Sequence, residues 1–176
     1  MKAMPRTIVL LGFMGAGKTT VGRLLAARLG MPFVDLDCEI EQAFGLPVPE
    51  IFSRHGEPEF RRVERELIVP LLAGEAKVLA LGGGAFEDRD TRREVNARAT
   101  GVWLDPPFEI IVDRLAGSTG RPLAAERSRD QLGRLWNQRR AAYAQAHVRV
   151  EGATAAADAV DQIVEALSRQ GGRLDL

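Results

Sequence analysis

The sequence predicts an α/β protein built on one parallel sheet with helices on both faces. Three observations carry the prediction. Short apolar runs of strand length alternate with longer amphipathic stretches, the pattern of repeated βαβ units. The first apolar run, Thr7–Leu11, is continuous rather than alternating, as in a strand buried on both faces. The length, 176 residues, corresponds to one domain large enough to bury a core without disulfides or metals.

The elements follow in order. After the first strand, Thr19–Leu29 places Val21, Leu24, Leu25 and Leu29 at helical spacing, and Gly30 stops it. Met31–Val34 reads as the second strand, running into Asp35. A helix over Glu39–Phe44 ends at Gly45, and Pro47 and Pro49 open a short helical turn around Ile51 and Phe52. Glu57–Ala73 is a long helix with Phe60, Val63, Leu67 and Leu71 on one face. Val78–Leu81 is the third strand, ending in Gly82-Gly83-Gly84. Thr91–Ala97 is helical, Thr100–Leu104 a strand and Phe108–Leu115 a helix. Ala116–Glu126 is polar, with Gly117, Gly120 and Pro122, and reads as a mobile loop. Arg127–Ala146 is a helix, His147–Val150 a strand, and Ala155–Arg169 a closing helix. Trp103 and Trp136 read as core, and His55 and His147 as surface. Ligands of such sheets bind at the carboxyl ends of the strands, so the polar residues after the first three strands converge on one edge.

Composition narrows the function. The 24 basic and 24 acidic residues cancel, which argues against a nucleic-acid-binding surface. No apolar run is long enough to span a bilayer, and no cleavage site follows the Lys2–Met14 region, so neither a membrane span nor a signal peptide is read. Cys38 is the single cysteine, which leaves no intramolecular disulfide and no cysteine-based metal site. A cytoplasmic enzyme or binding module is expected. Lysine occurs only at positions 2, 18 and 77, so 21 of the basic residues are arginine. A lone arginine is therefore weak evidence, and Lys18 stands out.

The strongest motif is Gly12-Phe13-Met14-Gly15-Ala16-Gly17-Lys18-Thr19 between the first strand and its helix. This is the phosphate-loop pattern. Glycines let successive N–H groups turn inward around a phosphate, and the helix N-terminus adds its dipole. Lys18 would reach the terminal phosphates and Thr19 would hold Mg²⁺. Asp35-Leu36-Asp37 closes the second strand, where carboxylates suit Mg²⁺ or proton acceptance from a hydroxyl; an N-cap on the next helix is the competing reading. Gly82-Gly83-Gly84 invites close ligand approach, or is a plain turn.

On its helix, Arg139 falls within the arc of Leu132, Leu135, Trp136 and Tyr143, whereas Arg140 lies roughly 80° from the arc's centre. Arg139 therefore needs a buried partner or a ligand anion, and Arg140 reads as a solvated surface charge. Arg61 lies at the edge of its helix's apolar arc, which does not decide its role. Arg121, in the polar loop, either closes over a transferring phosphate or is incidental.

In combination these motifs resemble the shikimate kinases, small members of the nucleoside-monophosphate-kinase-like group of phosphate-loop enzymes. The resemblance runs from about Arg6 to Val150. It rests on the phosphate loop, Phe33-Val34-Asp35-Leu36-Asp37, Gly56-Glu57 with Phe60-Arg61, Leu81-Gly82-Gly83-Gly84-Ala85, Gly120-Arg121-Pro122-Leu123, and Arg139 four residues before Tyr143. It implies a single-domain P-loop kinase over residues 1–176, with a five-stranded parallel sheet of order 2-3-1-4-5. It also implies a substrate-binding region at about 36–66 and a mobile lid at about 115–126. The implied reaction is ATP-dependent phosphorylation of the 3-hydroxyl of shikimate, in aromatic amino-acid biosynthesis.

The same resemblance assigns residues. Lys18, Asp37 and Arg121 are catalytic, and Gly15, Ala16, Gly17, Lys18, Thr19, Thr20, Arg114 and Arg121 contact ATP. Asp37, Arg61, Gly82, Gly83, Gly84 and Arg139 contact shikimate, the two arginines through its carboxylate. Thr19 and Asp35 serve Mg²⁺. A monomer is expected. The loop Glu151-Gly152-Ala153-Thr154-Ala155-Ala156 carries no basic residue, where the family often has an arginine near the adenine. A related small-molecule kinase, such as a gluconate kinase, and a nucleotide- or shikimate-binding regulatory module without turnover are the competing readings.

Overall fold

In the computed structural model, which describes residues 6–117 and 128–170, the first apolar run forms strand β1, Ile8–Leu11. All four side chains are buried, Ile8 and Leu10 in one core and Val9 and Leu11 in another. The run is continuous because a central parallel strand has no solvent face. β1 pairs in parallel with β3 (Val78–Ala80) on one side and β4 (Thr100–Asp105) on the other. β2 (Phe33–Asp35) adds beyond β3, and β5 (Val148–Glu151) beyond β4. The order is β2-β3-β1-β4-β5, as the resemblance implies.

Two layers of helix cover this sheet. On one face, α1 (Lys18–Leu29) and α7 (Ala156–Gln170) bury Val21, Leu25, Ile163 and Leu167 against Ile8, Leu10, Val102 and Leu104. The other face carries α2 (Leu36–Phe44), α3 (Val48–Ala73), α4 (Arg89–Arg98), α5 (Phe108–Ala116) and α6 (Arg129–Tyr143). These pack Ile40, Ile51, Phe60, Ile68, Val95 and Ile111 against Val9 and Leu11. Each fully buried aliphatic side chain contributes about 1.5–3 kcal/mol relative to its exposed state, so these two interfaces hold the strand ends, and the loops they carry, in place.

Several boundaries differ from the sequence reading for identifiable reasons. The helix expected over Glu39–Phe44 begins at Leu36, because Asp35 ends the strand and caps the helix at once, accepting from the Asp37 N–H at 3.1 Å. The helix expected over Arg127–Ala146 is shorter, starting behind a reciprocal cap. The Ser128 N–H donates to Gln131 Oε1 at 2.8 Å and the Gln131 N–H to Ser128 Oγ at 3.3 Å, a capping box the composition of the loop had masked. The last strand sits one residue later than expected, with Glu151 beside Asp105. α3 is broken at Gly56, whose φ of 81° no helix admits, so the short turn and the long helix expected there meet at a kink. Pro58 then falls in the first turn after the break, where its missing N–H costs nothing. Trp103 is in the core, but Trp136 is only half-buried and packs at a tilt against Phe108 at a centroid distance of 5.2 Å. Most of the expected lid, with Arg121, lies outside the described residues.

Candidate active site

The phosphate loop is held open by its own side chain and by a close approach from β4. Lys18 Nζ donates to the carbonyls of Gly12 at 2.9 Å and Phe13 at 3.0 Å, so the ammonium lies across the loop. A Cβ on Gly12 would stand 2.6 Å from the Leu104 carbonyl oxygen, which only glycine avoids. Arg114, from α5, donates Nη1 to the carbonyls of Gly15 and Ala16 at 3.2 and 3.3 Å, and Nη2 to the Thr154 carbonyl at 2.7 Å. It thereby ties the phosphate loop to the loop after β5, which has no basic residue of its own.

Two cavities meet at this loop. One, of about 350 Å³, is lined by Gly15, Ala16, Gly17, Thr20, Arg114 and the small residues Ala153, Ala155 and Ala156. The other, of about 300 Å³, is lined by Lys18, Thr19, Asp35, Asp37, Arg61, Glu64, Gly82, Gly83, Gly84 and Arg139. Gly17 and Thr20 border both. Every predicted site residue within the described chain therefore borders one cavity or the other; Arg121 lies outside it.

Within the second cavity, Thr19 Oγ1 donates to Asp35 Oδ2 at 2.7 Å. Asp35 thus both caps α2 and partners the loop threonine. Asp37 is not the cap. A Cβ on Gly82 would stand 2.9 Å from Asp37 Oδ1 and 2.9 Å from Glu64 Oε1, and one on Gly84 would stand 2.5 Å from Arg61 Nη2. The glycine run is therefore bare because charged side chains close over it.

Arg61, undecided from its helical position, faces this cavity. Its Nη1 donates to Glu64 Oε2 at 2.7 Å, and Glu57 lies 3.4 Å from its other terminal nitrogen. Burial works against the Arg61 charge, but Glu64 raises its pKa further still. Burial also pushes the Glu64 carboxyl above the usual glutamate range, with Arg61 opposing it. Glu64 is 2% exposed and its Oε1 has no hydrogen-bond partner among the described residues. Sequence reasoning missed this residue. At about 100° per residue, Glu64 lies about 20° outside the arc of Phe60, Val63, Leu67 and Leu71, so the test that singled out Arg139 does not reach it there; the stripe that the fold buries, Phe60, Ile68 and Leu72, does enclose it.

Arg139 is buried, as its place on the apolar stripe requires; its Nε donates to Glu87 Oε2 at 2.8 Å and its guanidinium stands 5.6 Å from the Phe13 ring. Arg140 corrects the expectation of a solvated surface charge. Its Nη1 donates to the buried Asp105 at 2.7 Å, and its guanidinium lies 4.3 Å from the Trp136 ring and 5.0 Å from Trp103. The helical arc missed this because Asp105 and Trp103 reach Arg140 from β4.

A phosphate loop between β1 and α1, on a parallel sheet of order β2-β3-β1-β4-β5, defines the P-loop kinase class. Within that class, the shikimate kinase family model matches residues 14–168. A shikimate kinase from Zymomonas mobilis is 45% identical over 167 residues, spanning 94% of this chain and 95% of that protein. The structure of a shikimate kinase from Acinetobacter baumannii in complex with shikimate superposes with a TM-score of 0.90 at 36% identity, covering 98% of this chain and 97% of that one. A gluconokinase from Sinorhizobium meliloti has a TM-score of 0.63 at 19% identity over 97% of this chain and 96% of its own, a likeness of fold alone. The chain belongs to the shikimate kinase family.

Proposed function

We propose that this protein transfers the terminal phosphoryl group of ATP to the 3-hydroxyl of shikimate, giving shikimate 3-phosphate and ADP. The observation that carries the proposal is one cavity, adjoining the phosphate loop, in which Arg61 and Arg139 stand with Asp37 around a bare glycine run. Shikimate offers one carboxylate and three hydroxyls. Arginine suits the carboxylate through a planar pair of N–H donors, and Asp37 with the backbone of Gly82–Gly84 suits the hydroxyls.

In this reading the small-residue cavity beside Arg114 takes the nucleoside of ATP, and Lys18 with the N–H groups of the phosphate loop holds its phosphates. The 3-hydroxyl oxygen forms a bond to the γ-phosphorus while the bond to the β–γ bridging oxygen breaks, and Asp37 accepts the hydroxyl proton. Lys18 and Arg121 balance the charge on the moving group. Thr19 and Asp35 offer hard oxygen donors of the kind Mg²⁺ takes alongside phosphate oxygens and water, and their contact at 2.7 Å brings the two together. Mg²⁺ held there would neutralise charge on the phosphates. The segment about 36–66 serves as the substrate-binding region and 115–126 as the lid, within one domain. A cytoplasmic monomer acting on small molecules is the proposed setting; among the described residues no helix is long and apolar enough to cross a membrane.

The test is ADP release measured with shikimate, gluconate and nucleoside monophosphates under matched ATP and Mg²⁺, with Lys18→Ala as the control. The proposal expects shikimate to exceed gluconate by at least about 100-fold in kcat/KM, the scale set by buried polar recognition, and a folded Lys18→Ala protein to be inactive. Faster turnover of gluconate would overturn it, as would shikimate binding without any ADP release.

A further inference from the structure

Glu87 lies in the 3₁₀ turn Ala85–Glu87 that follows the glycine run, and none of the roles above uses it. Its Oε2 accepts from Nε of Arg139 at 2.8 Å. The Arg139 side chain is 6% exposed and that of Glu87 31%. Arg139 borders the acceptor cavity, whereas Glu87 is not part of its lining. The carboxylate therefore holds the guanidinium from outside the cavity, through the one nitrogen nearest the side-chain stem.

The other nitrogens face a different way. Nη1 of Arg139 lies 3.5 Å from the position a Cβ on Gly83 would take, so the outer edge of the guanidinium runs along the glycine run. Tyr143, one helical turn later, donates its hydroxyl to the Gly83 carbonyl. The contact of Arg139 with Glu87 spans 52 positions of sequence, and that of Tyr143 with Gly83 spans 60. Both fasten α6 to the segment after β3. Arginine has many rotamers, and any ordering left to the ligand is subtracted from binding. A side chain already fixed through Nε keeps its terminal donors for a ligand.

We propose that Glu87 is a positioning residue for the acceptor. It fixes Arg139 through Nε so that the terminal nitrogens present themselves to the substrate carboxylate. The inference rests on the proposed function and extends it to a residue outside the cavity. The opposite effect, repulsion between Glu87 and the substrate carboxylate, is the weaker one. Glu87 is on the far side of a cation and partly in water, where its charge is screened, while the geometry it imposes is on a buried group.

The experiment compares Glu87→Met with Glu87→Gln, titrating shikimate and ATP separately. Methionine keeps the length and unbranched shape but removes the acceptor; glutamine keeps an acceptor oxygen and removes the charge. A side chain one-third exposed tolerates either, and thermal unfolding checks this. Glu87→Met should raise the KM and the calorimetric Kd for shikimate by about tenfold, the scale of a lost charge-assisted hydrogen bond, with kcat and the KM for ATP within about twofold. Glu87→Gln should bring the shikimate KM back to within about threefold of wild type. A wild-type shikimate KM in Glu87→Met overturns the inference and leaves the proposed function standing. A lowered shikimate KM in both variants also overturns it, since Glu87 would then compete for Arg139. A wild-type protein that does not phosphorylate shikimate defeats both.

Discussion

Replacing Arg140 with alanine and replacing Arg139 with alanine should damage this protein in different ways, although the two residues are adjacent on α6. The Asp105 side chain is 4% exposed and is held by Arg140 at 2.7 Å and Arg149 at 2.6 Å. Stranding a buried charge costs about 3–5 kcal/mol. Asp105 keeps Arg149, so the ionic loss in Arg140→Ala is about 1–2 kcal/mol. Removing a guanidinium stacked on Trp136 and Trp103 adds about 1 kcal/mol. The total, about 2–3 kcal/mol, lowers Tm by about 5–10 °C for a chain of this size. Shikimate affinity should not change, because Arg140 does not border the acceptor cavity. Arg139→Ala should do the reverse. Its partner Glu87 is 31% exposed and can turn to water, so the stability loss stays below about 1 kcal/mol. The substrate carboxylate loses one of two guanidinium groups in a desolvated site, about 2–4 kcal/mol, or about 30- to 1000-fold in Kd. The assays are thermal unfolding of both variants, calorimetric titration of wild type and both variants with shikimate, and titration of wild type and Arg139→Ala with its neutral carboxamide. The amide should erase the difference between those two proteins. If it weakens both by the same factor, Arg139 does not meet the carboxylate; if Arg140→Ala shifts Kd and leaves Tm alone, its reading as a structural ion pair fails.

Asp37→Asn should lower kcat with shikimate by about 100-fold or more while leaving the KM for ATP within about twofold; since Asp35 is the helix cap, an accompanying loss of thermal stability comparable to a lost cap would refute a purely chemical role. Asp88→Ala should cost about 1 kcal/mol by removing the cap of α4, where the Asp88 carboxylate accepts from the Thr91 N–H at 2.8 Å. Partial burial raises the Asp88 pKa, but the hydrogen bonds from Thr91 outweigh it and hold the value below the usual 3.8. A depressed carboxyl pKa stabilises the fold above the unfolded value and loses that contribution as pH falls through the native one. The stability gap between wild type and Asp88→Ala, read by chemical unfolding across pH, should therefore be full at neutral pH and shrink below pH 3.8; a gap that widens on acidification would contradict it.

The sheet, its parallel sense and the phosphate loop were determined by the sequence alone, because each is written in neighbouring residues. Continuous apolar strands, helical spacing and the Gly–Lys–Thr pattern all act within one element and its adjoining turn. Arg139 was legible for the same reason, as a charge on an apolar helical stripe, whereas Glu64 falls on the stripe of Phe60, Ile68 and Leu72 that the fold buries and not on that of Val63 and Leu67. The sheet order came only through the family resemblance, since strand order depends on which helices cross which face. The partners of the polar atoms were decided by tertiary structure. Arg140 meets Asp105 across 35 positions and Arg139 meets Glu87 across 52, and no periodicity within α6 reports what another segment brings to it. Asp35 shows the same limit within one residue. Sequence offered helix cap or active-site carboxylate as alternatives; folding gives Oδ1 to the Asp37 N–H, which makes Asp35 the cap, and Oδ2 to Thr19 at the cavity wall. Local pattern sets which face of an element is apolar; the chain's return at the strand ends sets which charges meet there.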